Sequence, residues 1–416
     1  MPSAPFRRLT SCRVCGATEI SVFLSLGETP LANAFVRPVA AAAPELRAPL
    51  EVMRCLRCGL VQLTVVVDPE VIFRDYAYAT SASAPMRGHF DGLAAEIVER
   101  FAPAGSFVVE VGSNDGVLLR PLRERGARAL GVEPAANLAA IANAEGLETV
   151  NEFFGPDVAS RLRGERGAAK VVVGNNVLAH IDGLPDVARA LDALLDDDGV
   201  FVAEVPYLFD LLDHVEYDTV YHEHLSYFHL APLMTLFAQV GMQLFDVKRV
   251  PTHGGSIRMY VGRSARRAET PALTGLVALE RSRLADAAAV FGTFAARVAA
   301  QRQALRAVLA ELRSAGKRLA GYGATAKGNT MLNYCGIGAD TLSFIADTTP
   351  YKQGLLTPGT HIPVRDESAI DAERPDVMLL LAWNYADAIV RRLDGYVARG
   401  GRFIHPIPLP RLIPDR

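Results

Sequence analysis

The sequence predicts an α/β chain in three parts: a small N-terminal cysteine-held module, a central doubly wound Rossmann-like domain and a smaller C-terminal Rossmann-like α/β domain. Three observations lead there. Two C-x-x-C pairs stand near the N-terminus, Cys12/Cys15 and Cys55/Cys58. From about residue 85, short apolar runs alternate with helical stretches. After an Ala/Leu/Arg/Glu-rich connector, a second strand-turn-helix start appears at residues 318–330.

Composition narrows the classes. The 416 residues carry 43 Lys+Arg against 46 Asp+Glu, a formal net charge of −3. That balance, with no basic stripe, argues against nucleic acid held by phosphate neutralisation. No charge-free 18-residue apolar run marks a membrane span, and the N-terminus shows no export signal. The expectation is a cytoplasmic protein, monomeric, with no nucleic-acid or membrane partner.

In a cytosolic chain, paired C-x-x-C reads as a zinc site. Cys15 and Cys58 each precede a glycine, Gly16 and Gly59, which lets the backbone turn so that amides face the sulfurs. The 39 residues between the pairs exceed ordinary ribbon spacing, so extra loop or strand is expected around 30–49. The module is set at 1–72, the central domain at 73–285 and the C-terminal domain at 286–416.

In the central domain, 107–111 (FVVEV), 129–132 (ALGV), 170–173 (KVVV) and 200–205 (VFVAEV) suit strands buried on both faces, with helices between them as at 135–145 and 184–195. The first strand runs into Glu110-Val-Gly112-Ser-Asn114-Asp115-Gly116, and Glu133 ends the next strand 17 residues after Gly116. A dinucleotide loop expects a glycine where Asn114 stands, and Asp115 would repel phosphate. A cationic, phosphate-free ligand such as S-adenosylmethionine suits the loop better, with Glu133 on its ribose. The bland alternative is a tight strand-to-helix turn. Asn151 and Phe153 are candidates for the adenine edge, or ordinary loop and core. Asn175, Asn176 and His180 follow a strand, where open sheets bind ligands; a helix cap is the alternative for His180.

Tyr221-His-Glu223-His224-Leu-Ser-Tyr-Phe is the second constellation. It does not fit a metalloprotease H-E-x-x-H, since residue 226 is serine, nor a deaminase, which needs a downstream cysteine pair. Acid-base work on a bound substrate and a structural polar network both remain. Tyr76, Tyr78 and Ser81 sit at the module boundary and could close over a ligand or simply pack. His253 and Arg258 belong to a glycine turn with a cation. In the C-terminal domain, Tyr322, Lys327 and Asn329 lie in GYGATAKGNT, whose amides, helix start and ammonium suit a diphosphate; the residue order excludes a P-loop.

Together, the paired C-x-x-C, EVGSNDG, NNVLAHI, YHEHLSYF, HGGSIR and GYGATAKGN resemble the zinc-containing, S-adenosylmethionine-dependent C-methyltransferases of nucleotide-linked deoxysugar pathways. The resemblance spans essentially the whole chain. It implies methylation beside the ketone, usually at C3, of a dTDP- or GDP-linked nucleotide-diphosphate 4-keto-6-deoxysugar. It further implies that Cys12, Cys15, Cys55 and Cys58 hold structural zinc remote from the chemistry, and that residues 110–116 with Glu133 hold the cofactor. By the same resemblance His224 is the base, Tyr221, Glu223 and His180 are its partners with Glu223 fixing the imidazole, Tyr76 is near the sugar, and Lys327 is near the diphosphate. A small-molecule O- or N-methyltransferase and a zinc-module RNA methyltransferase are the other readings, the last opposed by the charge balance.

Overall fold

The computed structural model describes residues 6–73, 80–264 and 266–414. At the N-terminus, β1 (Phe6–Arg8) pairs antiparallel with β5 (Val65–Val67), while β2 (Ile20–Pro30), β3 (Arg47–Cys55) and β4 (Val61–Leu63) form an antiparallel meander. The long insert between the cysteine pairs therefore supplies most of β2 and β3 and a loop at 31–46. The two cysteine turns close with Gly16 and Gly59 at φ +70° and +84°, conformations that glycine adopts without Cβ strain.

The central sheet contains β6 (Phe107–Val111), β7 (Arg128–Val132), β8 (Thr149–Val150), β9 (Ala169–Asn175) and β10 (Leu195–Pro206), all parallel. Helices Leu119–Glu124, Ala136–Ala144, Pro156–Arg166 and Leu184–Leu194 make the crossovers. A short strand, β11 (Ser226–Tyr227), leaves this domain and pairs with β4, so the N-terminal sheet runs β11-β4-β3-β2. The central sheet is completed by β12 (Met242–Val250) and β13 (Ser256–Arg263), giving the order β12-β13-β10-β9-β6-β7-β8. Insertion of β13 antiparallel to both neighbours is a feature that apolar runs alone do not reveal. Val108, Val171 and Val202 bury one face of the sheet against Phe90, Leu93 and Ile97 of helix Ala84–Arg100.

The connector is a helix pair, Pro271–Arg283 and Ala287–Ser314, capped by Thr270 accepting from the Leu273 amide and Asp286 from that of Ala289. The longer helix buries Phe291, Phe294, Val298, Gln301, Leu305 and Leu309, a single stripe at helical spacing. This stripe joins all three parts: the Phe291 ring stands 4.6 Å from Phe23, and Gln301 accepts from the Tyr217 hydroxyl at 2.8 Å and donates to Pro406 O at 2.9 Å. The last sheet contains β14 (Leu319–Tyr322), β15 (Ile345–Ala346), β16 (Val364–Arg365), β17 (Val377–Leu380), β18 (Arg402–His405) and β19 (Arg411–Ile413). Its order is β16-β15-β14-β17-β18-β19, parallel except for β19. Among the described residues, no helix is long and apolar enough to cross a membrane.

Candidate active site and metal centre

The sulfurs of Cys12, Cys15, Cys55 and Cys58 all lie within 4.8 Å of one another. Cys12 and Cys58 Sγ are 3.5 Å apart, and Cys15 and Cys55 Sγ 3.6 Å. A tetrahedral zinc with bonds of about 2.3 Å asks for sulfur separations of roughly 3.8 Å, inside the range the four sulfurs span, so they fit the ion with small adjustments. The Cys58 thiol, hydrogen-bonded to Cys12, pulls the latter's pKa down to about 5, preparing a thiolate ligand. With four sulfurs the shell is closed, which makes the metal structural.

The metal knuckle is directly attached to the polar loop that follows β10. Strand β4 pairs with β11, two residues beyond His224, and the Leu225 carbonyl accepts from the Leu63 amide at 3.0 Å and from the buried Arg13 guanidinium at 2.9 Å. His229 Nε2 lies 3.2 Å from the Gly59 carbonyl, next to ligand Cys58. The zinc module therefore forms a floor under residues 222–229.

At the carboxyl end of the central sheet, Gly112 and Gly116 turn at φ +66° and +82°. A Cβ on Gly112 would meet Val177 Cγ2 at 2.3 Å, and one on Gly116 would meet Leu147 Cδ1 at 2.5 Å. Asn114 between them also has positive φ, +52°. Glu133 braces this loop: Oε2 accepts from the Asn114 amide and Oε1 from the Ala135 amide, both at 2.8 Å. Each oxygen keeps a lone pair for a further donor such as a ribose hydroxyl. The amides of Thr80 and Ser81 close the loop from above, donating to Asn114 Oδ1 at 2.9 Å and Asp115 Oδ2 at 3.1 Å. Asn151 donates to the Glu133 and Pro134 carbonyls at 2.8 and 3.0 Å, and Phe153 beyond it is exposed.

Buried polar atoms without hydrogen-bond partners among the described residues gather at this sheet end: Glu110 Oε2, Ser113 Oγ, Asp115 Oδ1, both amide atoms of Asn175, and Asn176 Oδ1. Such groups are costly unless a ligand completes them. Glu110 has its pKa raised well above the carboxylate range, by burial first and then by the charges of Glu133 and Asp115. A concentration of acceptors and acids suits a cationic ligand, so the residues present fit S-adenosylmethionine.

The strand end leads straight to the polar loop. Asn176 has φ +55°, after which the turn Leu178–His180 presents His180 edge-on to His224, with ring centroids 5.0 Å apart. The Ala179 carbonyl accepts from the Leu225 amide at 2.7 Å. His224 Nδ1 lies 2.8 Å from the Thr219 carbonyl, and Nε2 lies 2.9 Å from the Tyr221 hydroxyl. The imidazole is thus oriented by Thr219 and Tyr221. Glu223, the carboxylate beside that ring in the sequence, accepts from Asn33 Nδ2 at 2.7 Å. Neither Thr219 nor Asn33 belongs to a motif that marks it in the sequence.

The candidate substrate residues are scattered. Tyr76 and Tyr78 lie outside the described residues. His253 falls in the turn Thr252–Gly254 between β12 and β13. Arg258 is 4% exposed and saturated by ion pairs with Glu204 at 2.5 Å and Glu96 at 2.6 Å, so the turn cation is locked into the sheet. The other Glu204 oxygen lies 2.8 Å from His89 Nε2. The Tyr322 hydroxyl donates to Glu367. Asn329 is buried and donates to Ala32 O at 2.8 Å. Lys327 Nζ stands 4.0 Å from Glu216 Oε2 and 4.9 Å from the centre of the Trp383 ring. Burial drives the Asp218 carboxyl's pKa upward, and the Lys327 charge opposes that shift. Lys327 Nζ thus faces the charges of Glu216 and Asp218 but is buried without a hydrogen-bond partner among the described residues, which leaves its donors unengaged.

Comparison with known proteins resolves the class. Family models match residues 12–73 as a zinc binding domain, 86–247 as a methyltransferase domain and 251–408 as a C-methyltransferase C-terminal domain. C-methyltransferase NovU of Streptomyces niveus is 40% identical over 413 residues, covering 98% of this chain and 97% of the relative. The chain belongs to the C-methyltransferase family. This C-methyltransferase is a zinc-containing, S-adenosylmethionine-dependent enzyme, with Cys12, Cys15, Cys55 and Cys58 as its metal cluster. Solved structures resemble part of it at low identity. The magnesium protoporphyrin IX methyltransferase of Synechocystis PCC 6803 covers 43% of this chain and 79% of its own at 16% identity and a TM-score of 0.32. The PH0226 protein of Pyrococcus horikoshii OT3 covers 47% and 98% at 14% identity and a TM-score of 0.37.

Proposed function

We propose that the enzyme methylates a carbon beside the ketone of a nucleotide-diphosphate-linked 4-keto-6-deoxysugar, at C3, through a base-generated enolate. The observation that carries this reading is the state of His224. Its Nδ1 faces a carbonyl, which accepts only, so Nδ1 holds the proton and Nε2 is the basic nitrogen. A base with a phenol against it is the pair that enolisation requires.

Bound S-adenosylmethionine supplies an electrophilic methyl group, held by residues 110–116, Glu133, Asn175 and Asn176. His224 Nε2 takes the C3 proton, and the Tyr221 hydroxyl, which rests on Nε2 at 2.9 Å, turns to the C4 oxygen as charge develops there. His180, edge-on to the imidazole, offers a second donor to that oxygen. Glu223, the residue before His224 in the sequence, is assigned the role of favouring the imidazolium that forms. General-base help of this kind is typically worth about 10² to 10⁴ in rate. The nucleotide diphosphate is assigned to the turn at Gly323–Thr325, ahead of helix Ala326–Cys335.

Incubation with S-adenosylmethionine and a dTDP- or GDP-linked 4-keto-6-deoxysugar, followed by mass spectrometry and carbon NMR, tests the assignment. A new carbon-bound methyl resonance at C3 is expected. An oxygen- or nitrogen-bound methyl, or no transfer to either nucleotide sugar, contradicts it.

A further inference from the structure

We propose that Asn33, on the loop between β2 and β3 of the zinc module, is a positioning residue of the methyltransferase site, acting through Glu223. Its carboxamide Nδ2 donates to Glu223 Oε1 at 2.7 Å, across 190 residues of sequence. Glu223 is only 5% exposed, whereas Asn33 itself lies at the surface. An exposed amide reaching a buried carboxylate adds little to the core, but it fixes where that carboxylate stands.

The loop is anchored for this task from the C-terminal domain. The residue before Asn33, Ala32, is buried, and its carbonyl accepts from the fully buried Asn329 amide at 2.8 Å. Pro30 packs so close to Gly359 that a Cβ there would meet Pro30 Cγ at 2.8 Å. The segment 30–33 is thus gripped by helix Ala326–Cys335 and the Gly359 turn, and its one outward polar side chain is aimed at the residue preceding His224. All three parts of the chain contribute to a single carboxylate's position.

The proposal rests on the reading in which Glu223 assists His224, and the test separates the two. Asn33→Ala, Asn33→Asp, Glu223→Gln and the double variant Asn33→Ala/Glu223→Gln are compared by kcat, by KM for the nucleotide sugar and by S-adenosylmethionine binding, with thermal melts as the folding control. Losing a hydrogen bond to a charged group predicts a fall in kcat of about tenfold or more for Asn33→Ala. S-adenosylmethionine affinity stays at the wild-type value, and the variant remains fully folded at the assay temperature, with at most a small fall in melting temperature. The near-isosteric Asn33→Asp, which cannot donate, falls at least as far, and the double variant is no slower than Glu223→Gln alone. Wild-type kcat in Asn33→Ala beside an impaired Glu223→Gln, or additive losses in the double variant, overturns the role of Asn33 alone. Wild-type kcat in Glu223→Gln overturns the reading of Glu223, and the role of Asn33 falls with it.

Discussion

The His224 imidazole is held against the Thr219 carbonyl, with Nδ1 and the carbonyl oxygen 2.8 Å apart. A carbonyl oxygen only accepts, so this contact selects the ring tautomer and turns Nε2 toward Tyr221. Thr219 lies in the turn Tyr217–Thr219, which Gln301 of the long connector helix supports through the Tyr217 hydroxyl. The orientation of the proposed base is consequently a property of the domain junction.

The buried pair of Arg258 and Glu204 should act on stability. Arg258→Leu strands Glu204, which is 0% exposed, and breaking such a pair typically costs about 3–5 kcal/mol. Urea unfolding is expected to show that loss, while the folded fraction keeps its KM for the nucleotide sugar. The Glu204 carboxyl has its pKa lowered, burial being outweighed by His89 and Arg258. A depressed carboxyl contributes stability above its unfolded pKa that disappears as pH falls through the folded value, so acid should selectively weaken the wild type relative to Arg258→Leu.

Glu110 works in the opposite direction. Its raised pKa means the folded protein favours the neutral acid; the associated stability is complete below the unfolded pKa and is lost as pH rises through the folded one. In the ligand-free protein Glu110→Gln should therefore melt higher than wild type in alkaline buffer and alike in acid. A cationic ligand favours the carboxylate, so S-adenosylmethionine affinity should rise with pH and binding should release a proton. Calorimetry in buffers of different ionisation enthalpy measures that proton, and Glu110→Gln should abolish it.

Replacement of Gly59 by alanine tests the link between metal knuckle and active loop. The residue sits at φ +84°, and a Cβ would come within 3.0 Å of His229 Nε2. A left-handed alanine costs roughly 1–2 kcal/mol. Zinc release to a chelator should quicken, and hydrogen exchange should increase at Ser226 and Tyr227 as well as around the cysteines, because β11 pairs with β4. Faster zinc release with unchanged exchange at Ser226 and Tyr227 would uncouple the two.

The features legible in the sequence were those written locally. FVVEV forms β6 at residues 107–111 because a strand buried on both faces is a continuous apolar run. The connector reads as helix from its composition, and the cofactor loop from glycines beside acids. Direction and long-range pairing leave no such trace. Nothing in 256–263 announces that β13 runs against its neighbours, and Arg258 resembles a free turn cation until Glu204, 54 residues away, is seen to hold it. Asn329 finds its partner at Ala32, 297 residues distant, and the donor to Glu223 stands on a loop with no motif of its own. Lys327 has the composition of an anion site, but the acid 4.0 Å from it, Glu216, comes from another domain and leaves no mark beside it in the sequence.

The most direct measurement is exchange of the C3 proton of a 4-keto-6-deoxysugar nucleotide with deuterated water, followed by NMR in wild type and His224→Asn. Exchange is expected in the wild type and should fall by at least about 10² in the variant, the lower end of general-base contributions, while calorimetry shows unchanged S-adenosylmethionine binding. Undiminished exchange in a folded His224→Asn protein would remove His224 from the role of base.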